Sequence, residues 1–195
     1  MQTAILLTEI EKHVRELFFK YQHPYLIYHN WQHTMRVVTH TKEIADYYKY
    51  NDVSLFIVLA AAWFHDTGHL QVNMDTHEQK SSALMVEFLS SKGIDPIIIE
   101  EISKCIMATK MPVNPTSLSE KIICDADTYH LGTEAFFEQN NLVKLELEAR
   151  LGITIENWHT SSLAFIQTHH YYTSYCQALL AAGKDKNIQR LSGQL

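Results

Sequence analysis

One segment constrains this chain more than any other. Val53–Phe64 is apolar at every position but Ser54, and it runs directly into His65-Asp66. A helix that is hydrophobic nearly all round must be covered on every side, so Val53 to Asp66 has to be the central helix of a bundle, with Gly68 as its stop. It is short of the ~20 residues that a membrane span needs. Around it the apolar residues recur at threes and fours. Leu6, Ile10, Val14, Leu17, Phe18 and Tyr21 predict an amphipathic first helix that breaks near His23-Pro24. Asn30 is placed to cap a second helix with Val37, Val38, Ile44, Ala45 and Tyr48 on its apolar face. Residues 76 to 92 predict a fourth helix closed by Gly93, and Asp95-Pro96 opens a fifth that runs through Met107. Met111–Pro115 is a loop, and Ser119 can start another helix. Gly132 and Gly152 punctuate the C-terminal third, where Glu156 to Ala182 predicts one long aromatic-rich helix. There is no alternating strand pattern, repeat or linker. The expectation is a single all-α domain over residues 1–195.

Composition narrows the function. With 195 residues, 46% hydrophobic and 19% charged, the chain is globular and long enough for a core without staples. A formal charge of -6 gives no basic footprint for duplex nucleic acid or anionic lipid. Cys105, Cys124 and Cys176 are an odd, widely spaced set, expected to be reduced core residues of a cytoplasmic protein. The N-terminus has no basic stretch before its short apolar run, unlike a signal peptide. The scattered glycines form no Walker loop, dinucleotide fingerprint or serine nucleophile elbow. What stands out is twelve histidines, in the side chain most used for metal ligation and proton transfer.

Three of the histidine and acid clusters lie at helix ends. Tyr28-His29-Asn30-Trp31-Gln32-His33 opens the second helix, Trp63-Phe64-His65-Asp66-Thr67-Gly68-His69 closes the central one, and Cys124-Asp125-Ala126-Asp127 follows an apolar run in a later helix. Two imidazoles and two carboxylates brought to one point would neutralise a divalent cation and leave positions open for water. His29 competes with His33, and Asp125 with Asp127, for two of those places. His69 follows His65 by four but lies beyond Gly68, so it is expected as a pocket residue that hydrogen-bonds phosphate or water. Asp75-Thr76-His77-Glu78 starts a helix but is not an HExxH zinc motif, since residue 81 is serine. Arg36 is expected to pair with an acid.

The ordered set of a first His, a His-Asp doublet and a later Asp resembles the HD superfamily of metal-dependent phosphohydrolases, over about residues 25–132. The YHNxxHT start, the HDTG doublet and the Cys-Asp-Ala-Asp segment are similar to a bacterial subgroup of it. The resemblance implies a five-helix core, with residues 133–195 as a C-terminal helical extension. It also implies His33, His65, Asp66 and Asp127 as metal ligands, the second Asp of the Asp-Ala-Asp segment being the one normally used. His29 then becomes part of the pocket wall. In two-metal relatives a His at the place of His77 binds a second ion that a later His pair completes. Here Thr109-Lys110 stands where that pair would be, so one divalent ion is expected, chosen from Mn, Mg, Ni, Fe, Co and Zn. The implied activity is hydrolysis of a small phosphorylated compound, a nucleotide first of all. Asp66 or Glu78 would accept a proton from water, and His69, Lys80 or Lys110 would meet phosphate charge. A cyclic-nucleotide phosphodiesterase and a non-catalytic nucleotide sensor are the alternatives.

Overall fold

The computed structural model describes residues 2–71 and 74–193, and among these there are helices and turns but no strand. In chain order the helices are α1 (Gln2–Lys20), α2 (Trp31–Tyr47), α3 (Asp52–Phe64), α4 (His77–Ser91), α5 (Pro96–Ala108), α6 (Leu118–Asp127), α7 (Phe136–Leu151), α8 (Trp158–Thr168) and α9 (Ser174–Leu191). The architecture is the all-α bundle expected. α3 sits at its centre against α1, α2, α5 and α6, and Val58, Ala60, Ala61, Ala62 and Phe64 are wholly buried. The amphipathic faces around it close the core through Ile10, Val14, Val37, Ile44, Met85, Ile102 and Ile122.

Four details differ from expectation. The central helix ends at Phe64, before His65-Asp66, and Thr67–Leu70 forms a separate 3-10 turn. Gly68 therefore does not stop the helix. A Cβ there would lie 1.9 Å from the His77 carbonyl oxygen, so glycine lets the start of α4 pack directly on the turn, where the Gly68 amide also donates to Ser81 Oγ (2.8 Å). With this turn added, Asp52–Leu70 is long and apolar enough to cross a membrane by composition, but most of it is buried inside the fold, as a core helix is. α6 begins at Leu118, because Ser117 rather than Ser119 caps it by accepting from the Glu120 amide.

The fourth difference is the largest. The stretch expected as one long helix is two, α8 and α9, joined by an extended link from His169 to Thr173. The buried Asp125 carboxylate makes the break. It accepts from the Tyr172 amide (2.8 Å), the Thr173 amide (2.8 Å) and the Thr173 hydroxyl (2.6 Å). Thr173 then caps α9 by accepting from the Cys176 amide. Cys105, Cys124 and Cys176 are buried thiols.

Candidate metal centre

The ends of three helices meet at one point. Asn30 caps α2: its side-chain oxygen accepts from the His33 amide (3.1 Å), and its amide group donates to the Ile27 carbonyl (2.7 Å). This sets the first turn so that His33 faces the interior, 2% exposed. His65 and Asp66 follow the last turn of α3 and are 0% and 4% exposed. Asp127 is the last residue of α6. His33 Nε2 lies 3.2 Å from Asp66 Oδ2 and 3.1 Å from Asp127 Oδ1. His65 Nε2 lies 3.1 Å from the same Asp66 oxygen, 3.7 Å from Asp127 Oδ1 and 3.4 Å from His33 Nε2.

The tautomer of His65 is set by its other nitrogen. Nδ1 lies 2.8 Å from the Ala62 carbonyl, which can only accept, so Nδ1 carries a proton and, once the ring is neutral, the lone pair is at Nε2. Asp66 Oδ2 is buried and makes no hydrogen bond, although two imidazole nitrogens stand within 3.2 Å of it. Two imidazole nitrogens and two carboxylate oxygens are thus gathered around a shared point. This donor set fits a divalent ion. Electrostatics agree. Burial by itself would lower the pKa of His33 and of His65, but the carboxylates of Asp66 and Asp127 outweigh it and raise both. Burial would raise both acids, and the imidazoles instead hold them well below the usual carboxylate range.

The other oxygen of Asp66 faces a second group. His77 Nε2 lies 3.7 Å and His69 Nε2 3.9 Å from Asp66 Oδ1. His77 stacks on His69 at 3.7 Å between ring centroids, and the His29 ring lies against it, tilted, at 4.2 Å. His69 is 3% exposed and neither ring nitrogen has a hydrogen-bond partner; burial first, and then the His29 charge, push its pKa far down. Glu78 is buried, with Oε1 at 3.6 Å from His77 Nε2 and Oε2 unpaired. By sequence, His77 reads somewhat more as an ordinary polar helix start than as a ligand, but the structure puts its ring among these groups. The ligand atoms of His33, His65 and Asp127, and separately those of His29, Asp66 and His69, lie within 4.8 Å of one another.

The remaining candidates separate clearly. Lys110 is exposed and lines a groove of about 460 Å³ together with Asp66, His77, Glu78, Asp127 and His29. Lys80 is not brought there. It lines a different depression with His13, Tyr21 and Glu87, because the turn of α4 that buries Ser81 and Ser82 carries Lys80 to another face. Asp125 lies close by in sequence, but its oxygens are committed to Tyr172 and Thr173. Arg36 donates to the Gln139 side-chain oxygen (2.6 Å) rather than to an acid.

Glu146 of α7 is the site residue that sequence reading missed. It is 1% exposed, accepts from the amides of Tyr28 (2.8 Å) and His29 (2.9 Å) and from His29 Nδ1 (2.7 Å), and pairs with Arg150 at 2.9 Å. Burial would raise its pKa, but the His29 contact brings it down to about 2. An acid more than a hundred residues away in sequence thus fixes the loop before α2 and the orientation of His29, and no local pattern announces it.

The fold is shared with known proteins. A predicted HD superfamily hydrolase from an uncultured Thermotogales bacterium is 23% identical, with 95% of this chain and 89% of that one covered at a TM-score of 0.63. Bacillus subtilis YpgQ, solved in complex with ADP, is 17% identical over 100% of this chain and 97% of its own, at 0.66. A Lactobacillus plantarum protein is 17% identical over 96% and 95%, also at 0.66. Comparison with curated proteins gives no significant match. The profile of the HD domain matches residues 30–132, just over half of the sequence and the part that carries all three helix ends, and on that ground the chain belongs to the HD domain family.

Proposed function

We propose that this chain is a metal-dependent phosphohydrolase that acts on a small phosphorylated compound, a nucleotide, with one divalent ion held by His33, His65, Asp66 and Asp127. The observation that carries the reading is the convergence of those four side chains on one point, with Asp66 Oδ2 buried and without a hydrogen bond. A bound divalent ion would lower the pKa of water and polarise a phosphoryl oxygen there. Mn, Mg, Ni, Fe, Co and Zn all suit two imidazoles with two carboxylates.

The protein's own groups then divide the work. The unpaired Glu78 oxygen, or the outer oxygen of Asp66, accepts the proton of the attacking water. Lys110 on the groove wall meets the phosphate charge as a point cation. His29, held by Glu146, lines the groove as an imidazole that hydrogen-bonds phosphate oxygens. His69 is buried against His29 and His77 and lines neither the groove nor the cavity beside it, contrary to its expectation as a pocket residue. Thr109-Lys110, where two-metal relatives carry a His pair, supports a single ion. The nucleotide class draws support from the ADP held by the structurally similar YpgQ.

The test is phosphate release from a panel of nucleoside mono-, di- and triphosphates and cyclic nucleotides, with each of the six metals, alongside metal analysis of the purified protein. Turnover with about one equivalent of ion is expected. A fully metal-loaded protein that hydrolyses none of the panel would overturn the reading, and two tightly held equivalents would overturn the single ion.

A further inference from the structure

Beside the polar groove lies a second cavity, of about 420 Å³, with a different character. The two share His29, Thr109, Met111 and Asp127 in their walls, so they adjoin at the metal centre. The cavity is lined by the rings of Tyr28, Trp158, Phe165 and Tyr172, with Val113, Leu131 and Val143 between them. Among the described residues no lysine or arginine lines it, and Asp127 at the junction is its one acid.

Two polar atoms of its wall residues are left over. Thr128 donates its hydroxyl proton to the Cys124 carbonyl (2.8 Å), so the 3.0 Å contact with His169 Nε2 requires that nitrogen to be the donor. His169 Nδ1 is then a bare acceptor, buried and unpartnered. Burial, helped by the Lys184 charge, lowers the His169 pKa to about 3, which keeps the ring in this neutral form. Trp158 Nε1 is a buried donor without an acceptor. Two rings of the wall thus carry polar atoms that the protein itself does not pair.

We propose that this cavity binds the flat, uncharged heteroaromatic end of the substrate, the base of a nucleotide, while its phosphate lies in the adjoining groove. The choice of base over other organic groups rests on the nucleotide reading above, and the physical grounds are specific to the cavity. Aromatic walls without a cation favour stacking on a neutral ring. The volume lies within the range of small-molecule pockets. Trp158, Phe165 and Tyr172 all lie beyond residue 132, outside the segment matched by the family profile, so substrate choice is assigned to the C-terminal helices.

The test reads binding without turnover. Adenosine, guanosine, cytidine, uridine and ribose are titrated into the full-length protein by calorimetry, for wild type, Trp158→Ala and Ser161→Trp. Ser161 is an exposed residue of the cavity wall, so the larger ring fills the cavity with little demand on the core should Trp158→Ala fail to fold. At least one nucleoside is expected to bind where ribose does not, and to weaken roughly 10–100-fold in each folded variant, the scale of a lost base–aromatic stack. Binding by none of the four, or binding that both folded variants leave unchanged, overturns the proposal. Nucleoside binding with no phosphate release from any nucleotide would discard the hydrolase and keep the cavity. Phosphate release with no nucleoside binding would do the reverse.

Discussion

The two halves of this molecule handle information differently. The ends of α2, α3 and α6 carry His33, His65-Asp66 and Asp127 inside short local motifs, and the residue types alone mark a set able to hold a cation. α7, α8 and α9 carry no motif, yet Glu146 holds His29 from α7, Thr173 engages Asp125 ahead of α9, and Trp158 walls the adjoining cavity from α8. Coordination chemistry needs particular atoms, so it leaves a mark in residue identity. Support and shape can be met by many residues, so they leave little mark.

The largest expected effect tests that division inside one motif. Asp127→Ala should remove the ion and lower turnover about 10³-fold, since metal-ion catalysis is worth several kcal/mol at about 1.36 kcal/mol per decade. Asp125→Ala, two residues away, should keep its metal and lose stability, because it breaks three hydrogen bonds to the link before α9. Metal content and thermal melting of the two variants separate these outcomes, and loss of metal in both would erase the distinction. Next comes Lys110→Ala, expected to cost about 10–100-fold in kcat/KM with the ion retained, the scale of a hydrogen bond to a charged group. Lys110→Met should be nearly as poor if charge is what matters. Unchanged kinetics in both would take Lys110 out of the site.

Glu146→Ala tests the reach of the C-terminal half. Removing a buried carboxylate that pairs with His29 and Arg150 should cost about 3–5 kcal/mol in chemical denaturation. Glu146→Gln, which keeps an acceptor for the two backbone amides, should lose less. Equal losses would mean that charge, rather than hydrogen bonding, holds the loop.

A smaller effect concerns pH. In the metal-free protein the raised pKa values of His33 and His65 stabilise the fold below the usual 6.5, and that contribution is lost as pH rises through the raised values. An ion needs the same nitrogens deprotonated, so its affinity should tighten with pH across that window, by up to about tenfold per unit for each proton displaced. A chelator competition from about pH 6 to 8 measures this, and a flat profile would mean that neither ring ligates. The smallest effect is expected at Lys80→Ala: its place in a separate depression predicts kinetics within about twofold of wild type, as for ordinary surface substitutions.

The all-α class, the central position of Val53–Phe64 and the caps at Asn30 and Asp95 were all legible in the chain, because periodicity and capping are local properties. So was the set of side chains able to hold a cation. Other features were decided only when distant segments met. Whether Asp125 or Asp127 faces the imidazoles depends on what the link before α9 takes from α6. The break between α8 and α9 exists because a buried carboxylate satisfies the backbone amides that a continuous helix would have used. Gly68 looked like a helix stop and is instead the contact point for α4, a role that no sequence window around it contains. Residue type determines which chemistry is available; the packing of elements far apart in the chain decides which atoms are left uncommitted to perform it.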